Sequence, residues 1–155
     1  MKMKNCFILI IFCLIINGCT NSKKEEVKWF ETENEAIQYG LNEEGLNSDD
    51  VISELEMNGE LFIVFKKQED SHLLVGLSNI AQKKNKFRWY RSNSFVAVEE
   101  NINIGLITKT LSGKQFNFYT GISEGEETVI DTSAGNINPN IDVESGIYYF
   151  ISNIN

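Results

Sequence analysis

Apolar residues in this chain are distributed in three regimes: one unbroken block at the start, a short stretch with a helical period, and, from Asn58 onward, runs with a strand-like period. The block over residues 6–16 carries no polar side chain, is preceded by Lys2 and Lys4, and gives way to Asn17 and Gly18. At about 1.5 Å per residue it reaches roughly half of the ~30 Å hydrocarbon core of a bilayer. A positive start, a short apolar run and a polar sequel are the layout of a secretory signal rather than of a spanning helix. Residues 20–26, TNSKKEE, hold no apolar side chain and read as a flexible tether, so the folded part is expected to begin near Trp29-Phe30.

The helical regime follows. Thr32 with Glu35 three positions on fits a capping box ahead of Ala36, Ile37, Tyr39 and Leu41, and Gly45 is suited to end that helix in a left-handed cap. A second short helix is expected next, capped by Asn47 or Ser48, with Asp49 and Asp50 in its first turn and Val51, Ile52 and Leu55 as its apolar stripe. After Asn58-Gly59 come the strand-like segments ELFIVFKK, HLLVGLSNIAQ, KFRWYR, SFVAVE, NIGLITKTL, QFNFYTGIS, TVIDTS and GIYYFIS. Ser112-Gly113-Lys114 reads as a hairpin turn and AGNINPN as a loop. Short strands with local turns argue an antiparallel meander, not βαβ units. The expected fold is α+β: one or two short N-terminal helices packed on an antiparallel meander sheet of about six or seven strands.

At the boundary between apolar block and tether stands Cys19. An ordinary signal is cleaved after small residues, and Ile16 occupies the place where the first of them belongs. Ile16-Asn17-Gly18-Cys19 instead resembles the lipobox of bacterial lipoproteins, with Asn17 where Ala, Ser or Thr is more usual. The resemblance implies cleavage between Gly18 and Cys19, an S-diacylglycerol on the Cys19 sulfur, and a new amine open to acylation. Two or three acyl chains hold a protein stably on a bilayer, whereas one does so marginally. The implied organisation is a signal peptide over residues 1–18, lipidated cysteine and tether over 19–27, and one extracytoplasmic domain over 28–155, on the outer face of the cell membrane. NEAIQYGLNEEGL leading into GELFIVFKK, and the later FNFYTGISEGEETV, are similar in style to small lipoproteins of Bacillus-like Gram-positive bacteria, a likeness that carries no catalytic motif.

Composition narrows the chemistry. Cys6 and Cys13 fall in the signal and lipidation consumes Cys19, so the mature chain has neither a disulfide nor a thiolate metal site to draw on. The formal charge is −8, and losing Lys2 and Lys4 makes the remainder more acidic still, which disfavours nucleic acid and anionic head groups as partners. The single histidine, His72, beside the acidic turn EDS, is one member of any Ser-His-Asp triad or zinc site and is more simply a surface residue at a strand entrance. The acidic groups Glu43-Glu44, Asp49-Asp50, Glu99-Glu100 and Glu124-Gly125-Glu126-Glu127 lack the alternating spacing of a calcium loop. No cofactor is expected, because no glycine-rich phosphate-binding loop occurs.

The segment KKNKFRWYR, residues 83–91, gathers five basic residues around Phe87, Trp89 and Tyr90. Alternate residues of a strand share a face, so Phe87 and Trp89 are assigned to the core. Arg88, Tyr90 and Arg91 then form the expected contact surface. The sequence therefore points to a non-enzymatic binding domain anchored at the cell envelope, with an envelope protein as partner. A small-ligand carrier or sensor, with its pocket between helices and sheet, is the alternative.

Overall fold

A computed structural model of the chain describes residues 27–123, 125, 128–132 and 135–154. The expected α+β domain, with one or two helices on a single meander sheet, is overturned: the described residues are mostly β, with one α-helix among them and several antiparallel sheets. The helix, α1, spans Glu33–Glu43 and is closed at its start by the capping box, Thr32 Oγ1 accepting from the Glu35 N–H and Glu35 Oε2 from the Thr32 N–H, both at 3.2 Å. Gly45, at φ +71°, lets the chain turn back so that the Leu46 N–H reaches the Leu41 carbonyl at 2.8 Å.

The expected second helix is a single 3₁₀ turn, Ser48–Asp50, running straight into strand β1, Val51–Met57. The apolar spacing that imitates a helix here arises from a bulge. Pairing with the next strand slips between Val51 and Ser53, so Val51 packs on the helix side of the sheet while Ile52, Leu55 and Met57 pack on the other. Asn58-Gly59, both at positive φ, then closes the hairpin to β2, Glu60–Glu69. β3 is His72–Lys83 and β4 is Lys86–Arg91, joined by Lys84-Asn85, again both at positive φ. β5, Val96–Val98, pairs with the first part of β3, in line with β4 on the same edge. These five strands form sheet A, in the order β1-β2-β3 with β4 and β5 sharing the far side of β3.

Sheet B consists of β6 (Ile104–Lys109), β7 (Gln115–Ile122), β10 (Asn140–Ile141) and β11 (Ile147–Asn153), ordered β10-β11-β7-β6. A small hairpin of β8 (Ile130–Thr132) and β9 (Gly135–Ile137) forms the third sheet, where a plain loop was expected around 134–140.

Two cores result, one on each face of sheet A. Phe62, Val64, Val75 and Leu77 point towards sheet B and meet Phe116, Phe118, Ile147 and Ile151, with the Phe62 and Phe116 rings edge to face at 5.0 Å. Ile63, Phe65 and Ile80 point the other way, onto Ala36, Ile37 and Leu41 of α1. The layers are therefore helix, sheet A, sheet B. This explains why β2 reads LFIVF without alternation: a strand buried on both faces is apolar throughout.

Polar groups tie the two sheets together at both ends. The buried Glu60 carboxylate accepts from Asn79 Nδ2 (3.1 Å) and from the Ser112 hydroxyl (2.6 Å), and Lys114 Nζ lies 3.3 Å away. At the opposite end Lys66 of β2 meets Asp142 at 3.5 Å and Glu144 at 3.3 Å.

Candidate interaction site

The hairpin that closes on Lys84-Asn85 sets the parity of β4. Lys86, Arg88 and Tyr90 direct their backbone groups at β3, while Phe87, Trp89 and Arg91 direct theirs outward. Phe87 uses them: it exchanges hydrogen bonds of 2.8 and 2.9 Å with Phe30, in an antiparallel bridge. No backbone partner faces Trp89 or Arg91 among the described residues. Sheet A thus ends in a short open edge directly beside the point where the chain arrives from its N-terminus.

Along this edge lies a groove of about 560 Å³, lined by Val27 and Lys28, by Tyr39, Glu43 and Glu44 of α1, and by Arg88, Trp89, Tyr90 and Arg91 of β4. The helix approaches so closely because position 40 is glycine; a Cβ there would fall 1.9 Å from Trp89 Cδ2. The groove is amphipathic: Lys28 Nζ sits 4.4 Å from the Tyr39 ring centroid, and Phe30 packs on Tyr39 at 5.0 Å.

The three residues expected to form a contact surface do not share a face. Arg88 and Tyr90 stand half-buried on the side of β4 away from α1. Arg91 is on the helix side, where its guanidinium grips Glu44 through two bonds, the Nε one at 2.8 Å, and lies over the Phe95 ring at 4.4 Å. Phe87 and Trp89 pack against the helix-side core, as their alternation implied. Arg91 is thus held as a wall of the groove, and Arg88 is the guanidinium that no ion pair engages among the described residues. Sequence reasoning missed Tyr39, Lys28 and Glu44. A lysine ahead of Trp29-Phe30 and a tyrosine on the solvent side of the helical stripe were the available signals.

The remaining candidates fall elsewhere. His72 is exposed at the start of β3 and lines a shallow hollow with Glu99 and Glu100. Among the described residues no three His, Cys, Asp or Glu side chains come together as a metal site would require. The interface between α1 and sheet A, where a ligand pocket was the alternative expectation, is filled by Ile37, Leu41, Leu46, Ile63, Phe65 and Ile80. Gly18 and Cys19, the cleavage and lipidation residues, lie outside the described residues, as do Glu124, Glu126 and Glu127. No helix among the described residues is long and apolar enough to cross a membrane. The chain matches no known protein family, no curated protein and no solved structure.

Proposed function

We propose that this is a lipid-anchored, extracytoplasmic interaction domain that takes an extended segment of an envelope protein as an added strand along β4. The observation that carries the reading is the open edge at Trp89 and Arg91, set inside a groove with aromatic, cationic and carboxylate walls. Strand addition draws affinity from main-chain hydrogen bonds and specificity from the side chains beside the edge. Here Arg88 and Tyr90 would read one face of the added strand, and Tyr39 and Glu43 the other. The lipobox resemblance at Cys19 supplies the anchor and the compartment.

The test is photo-crosslinking in cells from position 88 or 90 of the full chain, with mass spectrometry of the product. A single reproducible partner is expected. Arg91→Pro removes the outward N–H together with the Glu44 ion pair and the Phe95 contact, whereas Arg91→Ala removes only those two side-chain contacts. Capture should therefore be lost in the first and largely kept in the second. Equal capture by both variants would rule out strand addition at this edge.

A further inference from the structure

Sheet B ends in a second open edge, and its chemistry differs from that of β4. The Thr110 N–H bonds to the Lys114 carbonyl at 3.0 Å, which fixes the parity of the β6–β7 hairpin. Ile104, Leu106 and Thr108 therefore bond to β7, and Gly105, Ile107 and Lys109 turn their backbone groups outward. Those three meet no backbone partner among the described residues. Ile107, at the middle of the strand, is 69% exposed.

Three other edges are guarded, and β4 is open over part of its length. On β1 the outward positions are Glu54 and Glu56, next to a bulge; β10 is two residues long and follows Pro139; β5 is three residues long; β4 carries Phe30 on its first outward residue and is open at Trp89 and Arg91. Charged side chains, bulges, proline and short length are the usual means of blunting an edge; β6 has no carboxylate, bulge or proline, and its one charge, Lys109, stands at its end and away from Ile107. It also lies in a stretch, residues 101–123, without a single Asp or Glu in a chain of formal charge −8. A second, equally acidic copy would meet no carboxylate on that strand to repel it.

We infer that β6 pairs antiparallel with β6 of a second copy of this chain, about a two-fold axis at Ile107. The register follows from charge and bond count. An axis at Lys109 would set Lys109 against Lys109 of the partner copy, and an axis at Gly105 would leave most of the strand unpaired. An axis at Ile107 sets the two Ile107 side chains together, places each Lys109 opposite a Gly105, and uses all three outward residues of each copy. Each sheet B becomes half of one continuous sheet. An interface this short falls below the ~1,200 Å² of standard stable complexes, so the dimer is weak and reversible.

Among the described residues both cores draw only on residues 30–151, so a chain starting at Thr20 keeps every one of those core contacts, and it holds no cysteine. In that chain a bonded antiparallel pair puts the two Cα atoms of position 107 about 5.5 Å apart, within disulfide reach. Positions 109 are separated by four residues of strand, about 13 Å. Mild oxidation should convert Ile107→Cys to covalent dimer at least tenfold faster than Lys109→Cys. Sedimentation equilibrium of the wild type should show mass rising with concentration, and Ile107→Glu should abolish the rise without shifting the urea midpoint. Arg91→Pro, which blocks the β4 edge, should leave dimerisation unchanged. A monomer up to roughly 1 mM, or equal crosslinking at 107 and 109, would overturn the pairing.

Discussion

Gly40→Ala is the substitution in which two physical effects of opposite sign compete most openly. Within a helix, alanine is favoured over glycine by about 1 kcal/mol. Position 40 is buried, however, and the added Cβ would fall 1.9 Å from Trp89 Cδ2 and 2.3 Å from both Cε3 and Cγ. The indole has little room to retreat, because the Phe65 ring packs on it at 5.5 Å and Phe65 itself lies over Gly76, where a Cβ would fall 2.2 Å from the ring. Overpacking of this kind costs about 1–3 kcal/mol, and clashes this deep belong at the upper end. Gly40→Ala should therefore lower stability by about 2 kcal/mol in urea titrations followed by far-ultraviolet circular dichroism. Trp89→Ala alone should cost about 3–5 kcal/mol. In that background the ring is gone, only the propensity gain remains, and Gly40→Ala should stabilise by up to about 1 kcal/mol. The sign reversal, a coupling of about 3 kcal/mol, is the diagnostic quantity. If Gly40→Ala had the same effect in both backgrounds, the close helix–sheet approach at Trp89 would be refuted.

Lys84 sits at φ +50° in the β3–β4 turn, a region costly for a residue with a Cβ, so Lys84→Gly should raise stability by about 1 kcal/mol, read as a higher urea midpoint. Glu60→Ala removes the buried acceptor shared by Asn79 and Ser112 and should cost about 1–3 kcal/mol, with Glu60→Gln costing less because one carbonyl oxygen remains to accept. Stability should also fall at both extremes of pH. Burial works against ionisation of Asp142, but hydrogen bonds from Ser145 and the charge of Lys66 outweigh it and hold the carboxyl below its ordinary value; its contribution is present above about pH 4 and is lost as pH falls through the folded-state value. Asp142→Asn should therefore lower the urea midpoint near neutrality and have no effect at the acid end. Burial raises the Tyr148 phenol, and for Lys66 the opposing effect of burial is outweighed by Glu144 and Asp142, so both contributions are complete below about pH 10 and decline as pH rises further.

Local chemistry was the legible part of this fold. The Thr32–Glu35 capping box, the Gly45 cap and the Ser112-Gly113-Lys114 turn each depend on residues a few positions apart, and each is found where the pattern placed it. Segment KFRWYR coincides with β4, and its alternation correctly assigned Phe87 and Trp89 to the core. What failed involved distant pairs or irregular pleats. Period alone does not say that Phe62 faces Phe116 from another sheet, so one meander was expected where two sheets pack face to face. The bulge at Ile52 put apolar side chains at a spacing that a helix shares, and β1 was read as helical. Arg91 looked exposed because Glu44, its partner, is 47 residues away and on another element.

How the two sheets end bears directly on what the domain does. Of the five outer strands of the two main sheets, β1 is closed to other chains by Glu54 and Glu56, β10 by Pro139 with short length and β5 by its three-residue length, which leaves β4 and β6. These two lie on different sheets and present different chemistry, one mixed and aromatic beside the incoming chain, the other short, apolar at its centre and free of carboxylates. Val27 and Lys28, the first of the described residues, line the β4 groove. Eight residues from Cys19 to that point span at most about 28 Å when extended. A lipid on Cys19 would hold the β4 groove within that distance of the head groups, in reach of an extended segment of another anchored protein. The same anchor would confine copies of the chain to two dimensions and raise their effective concentration, the condition under which an edge as short as β6 pairs.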